Sequence, residues 1–157
     1  EAQIADVRPL GIHEPLSFDD LSPAKVRLVK RWLIQRGFQN SVGLCCFMDY
    51  SLPAMCDIVS AATGWDFSLF ELEEVGERVI DMARVFNYRC GFRAGDDSLP
   101  PRFHQPIQDG PNAGTFVPRE QMERALSLYY DMMEWDHHTG APLPWKLHEL
   151  GLHWLAE

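Results

Sequence analysis

The run from Phe67 to Cys90 constrains the fold most. Ser68-Leu69-Phe70-Glu71 has the form of a capping box, and Leu72, Val75, Val79, Met82 and Phe86 follow at alternating steps of three and four. That spacing puts all of them on one stripe, so it predicts a long amphipathic helix to about Cys90 with the stripe buried. Ser22-Pro23 offers an N-cap and a first-turn proline. Val26, Val29 and Leu33 then recur at helical spacing with Trp32 beside them, predicting a helix over 24–36 that ends at Gly37. Leu52-Pro53 opens a shorter helix through Met55, Ile58, Val59 and Ala62, with Cys56 inside it as packing and Gly64 where a left-handed cap would sit. Pro118-Arg119-Glu120 opens another, in which Met122, Ala125, Leu126, Tyr129, Tyr130 and Met133 share a face and read as core. Residues 135–143 read as a turn containing Gly140 and Pro142, and 144–150 as a short final helix stopped by Gly151.

No stretch alternates apolar and polar residues at a period of two over a convincing length. The fold class is therefore all-α, an irregular multi-helix bundle. Residues 91–117, between the longest helix and the next one, make a long loop, and Phe92, Leu99, Phe103, Ile107 and Phe116 argue that it is ordered against a surface. Residues 1–21, with Pro9, Gly11 and Pro15, read as a linker leading into a helical domain over 22–157.

At 157 residues the chain suits one domain with one core. Its acidic excess, 23 Asp and Glu against 14 Lys and Arg, disfavours a nucleic-acid partner, and no apolar run approaches the roughly 20 residues of a membrane span. Lys25, Arg27, Lys30, Arg31 and Arg36 fall at helical spacing and read as a solvated face. Cysteines stand at 45, 46, 56 and 90, which is no framework of spaced disulfides and fits a reducing compartment. The chain opens on Glu1 without Met or a targeting pattern, as a fragment or processed chain would.

The chemistry-bearing stretch is Asn40-Ser41-Val42-Gly43-Leu44-Cys45-Cys46-Phe47. Two readings fit its residue types: a tight turn presenting one thiolate to a soft metal, or a buried cysteine pair filling a helix junction. Other constellations fail on spacing. His148 and His153 are five apart and so lie about 140° apart around a helix, which is wrong for a paired zinc site. His137-His138 has no further ligand in register, no Cys-x-x-Cys pair exists for a self-contained zinc site, and Asp96-Asp97 reads as a loop or cap element.

Several phrases, in order, resemble the C-terminal region of the tungsten-containing aldehyde ferredoxin oxidoreductases. Residues 40–47 are similar to that family's Asp-x-x-Gly-Leu-Cys-x-Phe, and Thr63-Gly64-Trp65-Asp66 with Glu71-Leu72 and Gly76-Glu77-Arg78 to its long-helix signature. Phe86-Asn87-Tyr88-Arg89, Gly91-Phe92, Asp96-Asp97-Ser98-Leu99-Pro100-Pro101-Arg102-Phe103, Asp109-Gly110-Pro111, Tyr129-Tyr130 and Gly151-Leu152 continue the series over roughly residues 20–152.

The resemblance implies a tungsten or molybdenum centre held by two pterin dithiolenes beside a 4Fe-4S cluster that passes electrons to ferredoxin. It implies that three cluster cysteines come from an earlier part of the polypeptide and the fourth from Gly-Leu-Cys, which makes Cys45 the metal ligand here and Cys46 the occupant of a variable slot. Asn40, Gly43 and Leu44 are then the candidate pterin contacts, and the N-terminal and central domains of the same cytoplasmic enzyme are the partners. A cluster needs four thiolates and this chain offers one in the right turn, so the chain alone is expected to be catalytically silent. Two positions depart from the family: Asn40 replaces a carboxylate that could accept hydrogen bonds from pterin N–H groups, and Cys90 replaces Glu. The Asn40 departure is what supports the alternative, a non-catalytic helical scaffold that keeps the fold.

Overall fold

The computed structural model describes residues 7–156. Helix α1 covers Pro23–Ser41, α2 Leu52–Thr63, α3 Leu69–Arg89, α4 Arg119–Met133 and α5 Pro144–Glu149, with short 3-10 turns at Arg8–Leu10, Ala94–Asp96, Pro101–His104 and His153–Leu155. Among the described residues there is no strand beyond an isolated bridge between Trp135 and Pro142, and the fold is all-α as expected. No described helix is long and apolar enough to cross a membrane.

Local signals place the helix starts. Ser22 caps α1 by accepting from the Lys25 amide, Ser51 caps α2 through Ala54, and at Ser68 the full capping box forms with Glu71. Helix α2 closes on Gly64, whose φ of +77° is the left-handed cap its sequence implied.

Three expectations need correcting. Helix α1 does not stop at Gly37 but runs on to Ser41. Gly37 sits instead at the crossing of α1 and α3, where a Cβ on it would come within 2.9 Å of the Gly76 carbonyl oxygen, and one on Gly76 within 2.1 Å of the Ile34 carbonyl oxygen. A pair of missing side chains thus lets two backbones touch, which outweighs the helical cost of glycine.

The stripe on α3 is the second. Leu72 is buried and Val75 and Val79 half-buried, but Met82 and Phe86 are exposed, while Asp81, Arg84 and Val85 turn inward. The charged pair is tolerated because each finds a partner. Arg84 donates from Nε to the Gly140 carbonyl at 2.5 Å and from NH2 to Asp97 at 2.5 Å and the Tyr130 hydroxyl at 2.7 Å. Its guanidinium also lies over the Trp135 ring, 4.6 Å from the centroid. Tyr130 in turn donates its hydroxyl to Asp97, and burial with that hydrogen bond pushes its ionisation up to about 12. Asp81 accepts from the Trp135 indole at 2.6 Å.

The third concerns the basic residues, which form no solvated face. Lys25 donates to the Ser17 carbonyl, Arg27 to the Leu10 carbonyl and Lys30 to the Met132 carbonyl, while Arg31 pairs with Glu73 and Arg36 reaches the Cys46 carbonyl. Each tethers another segment to α1. The expected linker over 1–21 falls partly outside the described residues, and within its described part Ile12 is buried at 4% exposure.

Asp81 gives the chain a pH dependence. Burial raises its carboxyl to about 7 against the opposing Trp135 hydrogen bond, with the nearby Glu77 charge raising it further and Lys146 and Lys30 opposing. A folded-state value above the unfolded one means the native chain holds the extra proton, so stability falls as pH rises from about 4 to about 7. Asp81→Asn keeps an acceptor for Trp135 and removes the titration. In thermal melts from pH 5 to 8, wild type is expected to lose stability relative to Asp81→Asn across that window; parallel profiles would refute the assignment.

Candidate functional site

Helix α1 ends in a Schellman arrangement that accounts for two of the residues in the Gly-Leu-Cys run. Gly43 takes a φ of +73°, its amide donates to the Asn40 carbonyl at 3.3 Å, and the Leu44 amide reaches back to the Gln39 carbonyl at 3.0 Å. Leu44 then folds onto the cluster of Phe38, Met55, Cys56 and Leu72. Gly43 is needed for the backbone and Leu44 for the seal, leaving Cys45 as the first residue free to face outward.

Both Cys45 and Cys46 are exposed, free thiols, so the buried-pair reading fails while Cys56 is the buried one. The turn that carries them is fastened from α1. Gln39, only 3% exposed, donates its amide to the Cys45 carbonyl at 3.0 Å, and Arg36 bridges from Gln39 at 2.9 Å to the Cys46 carbonyl at 2.8 Å. The Met48 amide closes the turn on the Cys45 carbonyl at 3.2 Å. Gln39 and Arg36 were not foreseen, and nothing in their local sequence separates them from ordinary helix-surface residues. Asn40 lies exposed on the last turn of α1.

The surroundings of this turn look outward rather than into the chain's own core. Phe47 is 95% exposed and Met48 is exposed beside it, so the turn carries two adjacent apolar side chains at the surface. Among the described residues no group of three or more His, Cys, Asp or Glu is arranged to hold a metal ion. The donor set here fits one soft ligand on a rigid turn, with further ligands required from outside these residues. The other constellations have structural roles: Asp96 accepts from the Arg93 amide, Asp97 anchors Arg84, and His137 pairs with Asp131.

An all-α chain with a capped Gly-Leu-Cys turn defines a helical module that presents the adjacent Cys45 and Cys46 thiols at its surface. The chain belongs to the aldehyde ferredoxin oxidoreductase family: residues 2–152 match the family described as aldehyde ferredoxin oxidoreductase, domains 2 and 3. It is similar to the tungsten-containing aldehyde ferredoxin oxidoreductase of Pyrococcus furiosus, at 34% identity over 91% of this chain, and to that of Pyrococcus horikoshii, at 35%. An aliphatic sulfonate oxidoreductase, WOR-like subunit, of Pyrococcus furiosus is 29% identical over 73% of the chain. The match covers 24% of the length of the first two relatives and 19% of the third, so the chain spans about a quarter or less of the proteins it resembles.

Proposed function

We propose that this chain is the C-terminal part of a tungsten or molybdenum pterin, iron-sulfur oxidoreductase acting on aldehydes or related carbonyl compounds. Cys45 supplies one thiolate to a 4Fe-4S cluster, and Asn40, Gly43 and Leu44 form the side of the turn that meets a pterin. The observation that carries this reading is the exposed Cys45 thiol, one residue past a helix cap, with its own carbonyl fixed by the buried Gln39.

When bound in the intact protein, a metal-pterin group would supply the redox chemistry and a 4Fe-4S cluster held in part by Cys45 would supply the route for electrons to ferredoxin. This chain's residues position rather than react. Gly43 and Leu44 set the direction in which Cys45 leaves α1, and Arg36 and Gln39 keep the thiolate from drifting, so that a ligand bond forms at little ordering cost. No residue here is assigned a proton-transfer role. Linker 1–21 and helical domain 22–157 are read as the last portions of a cytoplasmic polypeptide whose earlier domains supply the remaining ligands. The name of the aliphatic sulfonate oxidoreductase relative supports a substrate range wider than aldehydes.

The isolated chain, reconstituted anaerobically with iron and sulfide, is expected to show no stoichiometric cluster absorbance and no aldehyde oxidation. Stable uptake of about four irons per chain would sink the proposal, because a 4Fe-4S cluster takes four protein thiolates. The scaffold alternative, favoured by Asn40 in place of a carboxylate, is separated by the reading frame upstream of Glu1. A Cys-x-x-Cys-x-x-x-Cys segment encoded there supports the enzyme, and a frame without one supports the scaffold.

A further inference from the structure

Cys46 has no part in holding the cluster, yet it follows Cys45 directly in the chain, and both thiols are free and exposed. The tethers that fix their turn end on main-chain oxygens, from Gln39 to the Cys45 carbonyl and from Arg36 to the Cys46 carbonyl. The backbone is held while the two side chains are left to react.

Neither of the chain's other cysteines can take the place of Cys46. Cys56 is buried with Phe38, Met55 and Leu72, and burial pushes its thiol up, with the Asp57 and Glu71 charges adding, which keeps it in the unreactive form. Cys90 follows the far end of α3, whereas Leu44 packs on the cluster that holds Leu72 from the first turns of that helix. At about 1.5 Å per residue, α3 carries Cys90 roughly 27 Å beyond Leu72. Within this chain, Cys46 is the reactive thiol in reach of Cys45.

We propose that Cys45 and Cys46 form a reversible vicinal disulfide in the cluster-free protein, a redox gate on cluster loading. The gating rests on Cys45 being the ligand, whereas the bridge itself does not. The oxidant is a small-molecule disulfide. One cysteine thiolate attacks it and releases one small thiol, leaving a mixed disulfide, and the neighbouring thiolate then displaces the second. The protein pair gives up two electrons and two protons, and the oxidant becomes two thiols. A turn that is to receive a cluster stands open before loading, which gives the oxidant its access. Adjacent Cα atoms are about 3.8 Å apart, short of the roughly 4.4–6.8 Å usual across a disulfide, so the ring is strained. Strain and exposure make a disulfide easily reduced, which is the reversibility a gate needs. While closed, the bridge also keeps Cys45 from irreversible oxidation.

The experiment takes the intact protein, prepared without its cluster, through glutathione buffers of graded poise and maps its peptides by mass. The peptide holding residues 45 and 46 is expected to lose the mass of two hydrogens with no glutathione attached, and dithiothreitol should restore it. Iron uptake on adding iron and sulfide in the same buffers should fall in step with the fraction bridged. Cys46→Ser should instead trap one glutathione on Cys45 and shift the loading curve, while Cys90→Ser leaves the bridge unchanged. The inference is overturned if residues 45 and 46 stay reduced, each carry a glutathione, or bridge to other cysteines, and Cys45 then remains open to the ligand role. If the bridge forms but iron uptake does not follow it, the gate falls together with the assignment of Cys45 as ligand.

Discussion

Gly76→Ala is expected to be among the most destabilising single-methyl additions in this chain. A Cβ there would stand 2.1 Å from the Ile34 carbonyl oxygen and 2.8 Å from both its carbonyl carbon and Cγ2. Backbone atoms cannot swing aside, so α1 and α3 would have to part along their whole contact. The cost should reach about 3 kcal/mol, the upper end of overpacking penalties. For a chain of this size that corresponds to a fall in Tm of about 6–12 °C by scanning calorimetry. Gly95→Ala is the matched control: its added Cβ meets nothing within 4 Å, and a change within about 0.5 kcal/mol is expected. An unchanged Tm for Gly76→Ala would show that the helices do not cross as described.

The second large effect belongs to Arg84. Replacement by Met would leave Asp97 sharing only the Tyr130 hydroxyl, strip the Gly140 carbonyl of its donor and remove the cation from the Trp135 face. Breaking a buried pair from one side costs about 3–5 kcal/mol, and with Asp97 only part-buried the loss should fall at or below the lower end of that range. The double variant Arg84→Met with Asp97→Leu should recover part of that loss in urea unfolding, since it removes both charges. If the double variant is no better than Arg84→Met alone, packing of the guanidinium rather than its charge is what matters.

These two positions also show where sequence reading reached its limit. The caps at Ser22 and Ser68 were legible because each bond closes within three residues, whereas the Ser51 cap emerges only in the structure. Gly37 was misread as a stop because a glycine that ends a helix and one that admits a neighbouring backbone look alike, and the partner is Gly76, far along the chain. The α3 stripe was followed correctly to Val79 and then lost. What turns Asp81 and Arg84 inward is Trp135, Gly140 and Asp97, which no local period can reveal. The basic residues of α1 misled for the same reason, since most of their partners are backbone carbonyls that carry no sequence signal.

The Gly-Leu-Cys turn was legible as a special place but not in its division of labour. Its Gly and Leu satisfy the end of α1 and the core beneath it, which any capped helix requires. What remains unaccounted for by folding is an exposed Cys45 beside an exposed Cys46, so adjacency alone cannot tell ligand from neighbour.

The claim that Cys45 is the ligand is tested most directly in the intact protein by comparing Cys45→Ala with Cys46→Ala. Iron per chain and the low-temperature paramagnetic resonance spectrum of the reduced cluster are measured for each. Loss or degradation of the 4Fe-4S signal in Cys45→Ala, with iron content and spectrum preserved in Cys46→Ala, is the predicted result. A cluster that survives removal of Cys45 and is lost with Cys46 would contradict it.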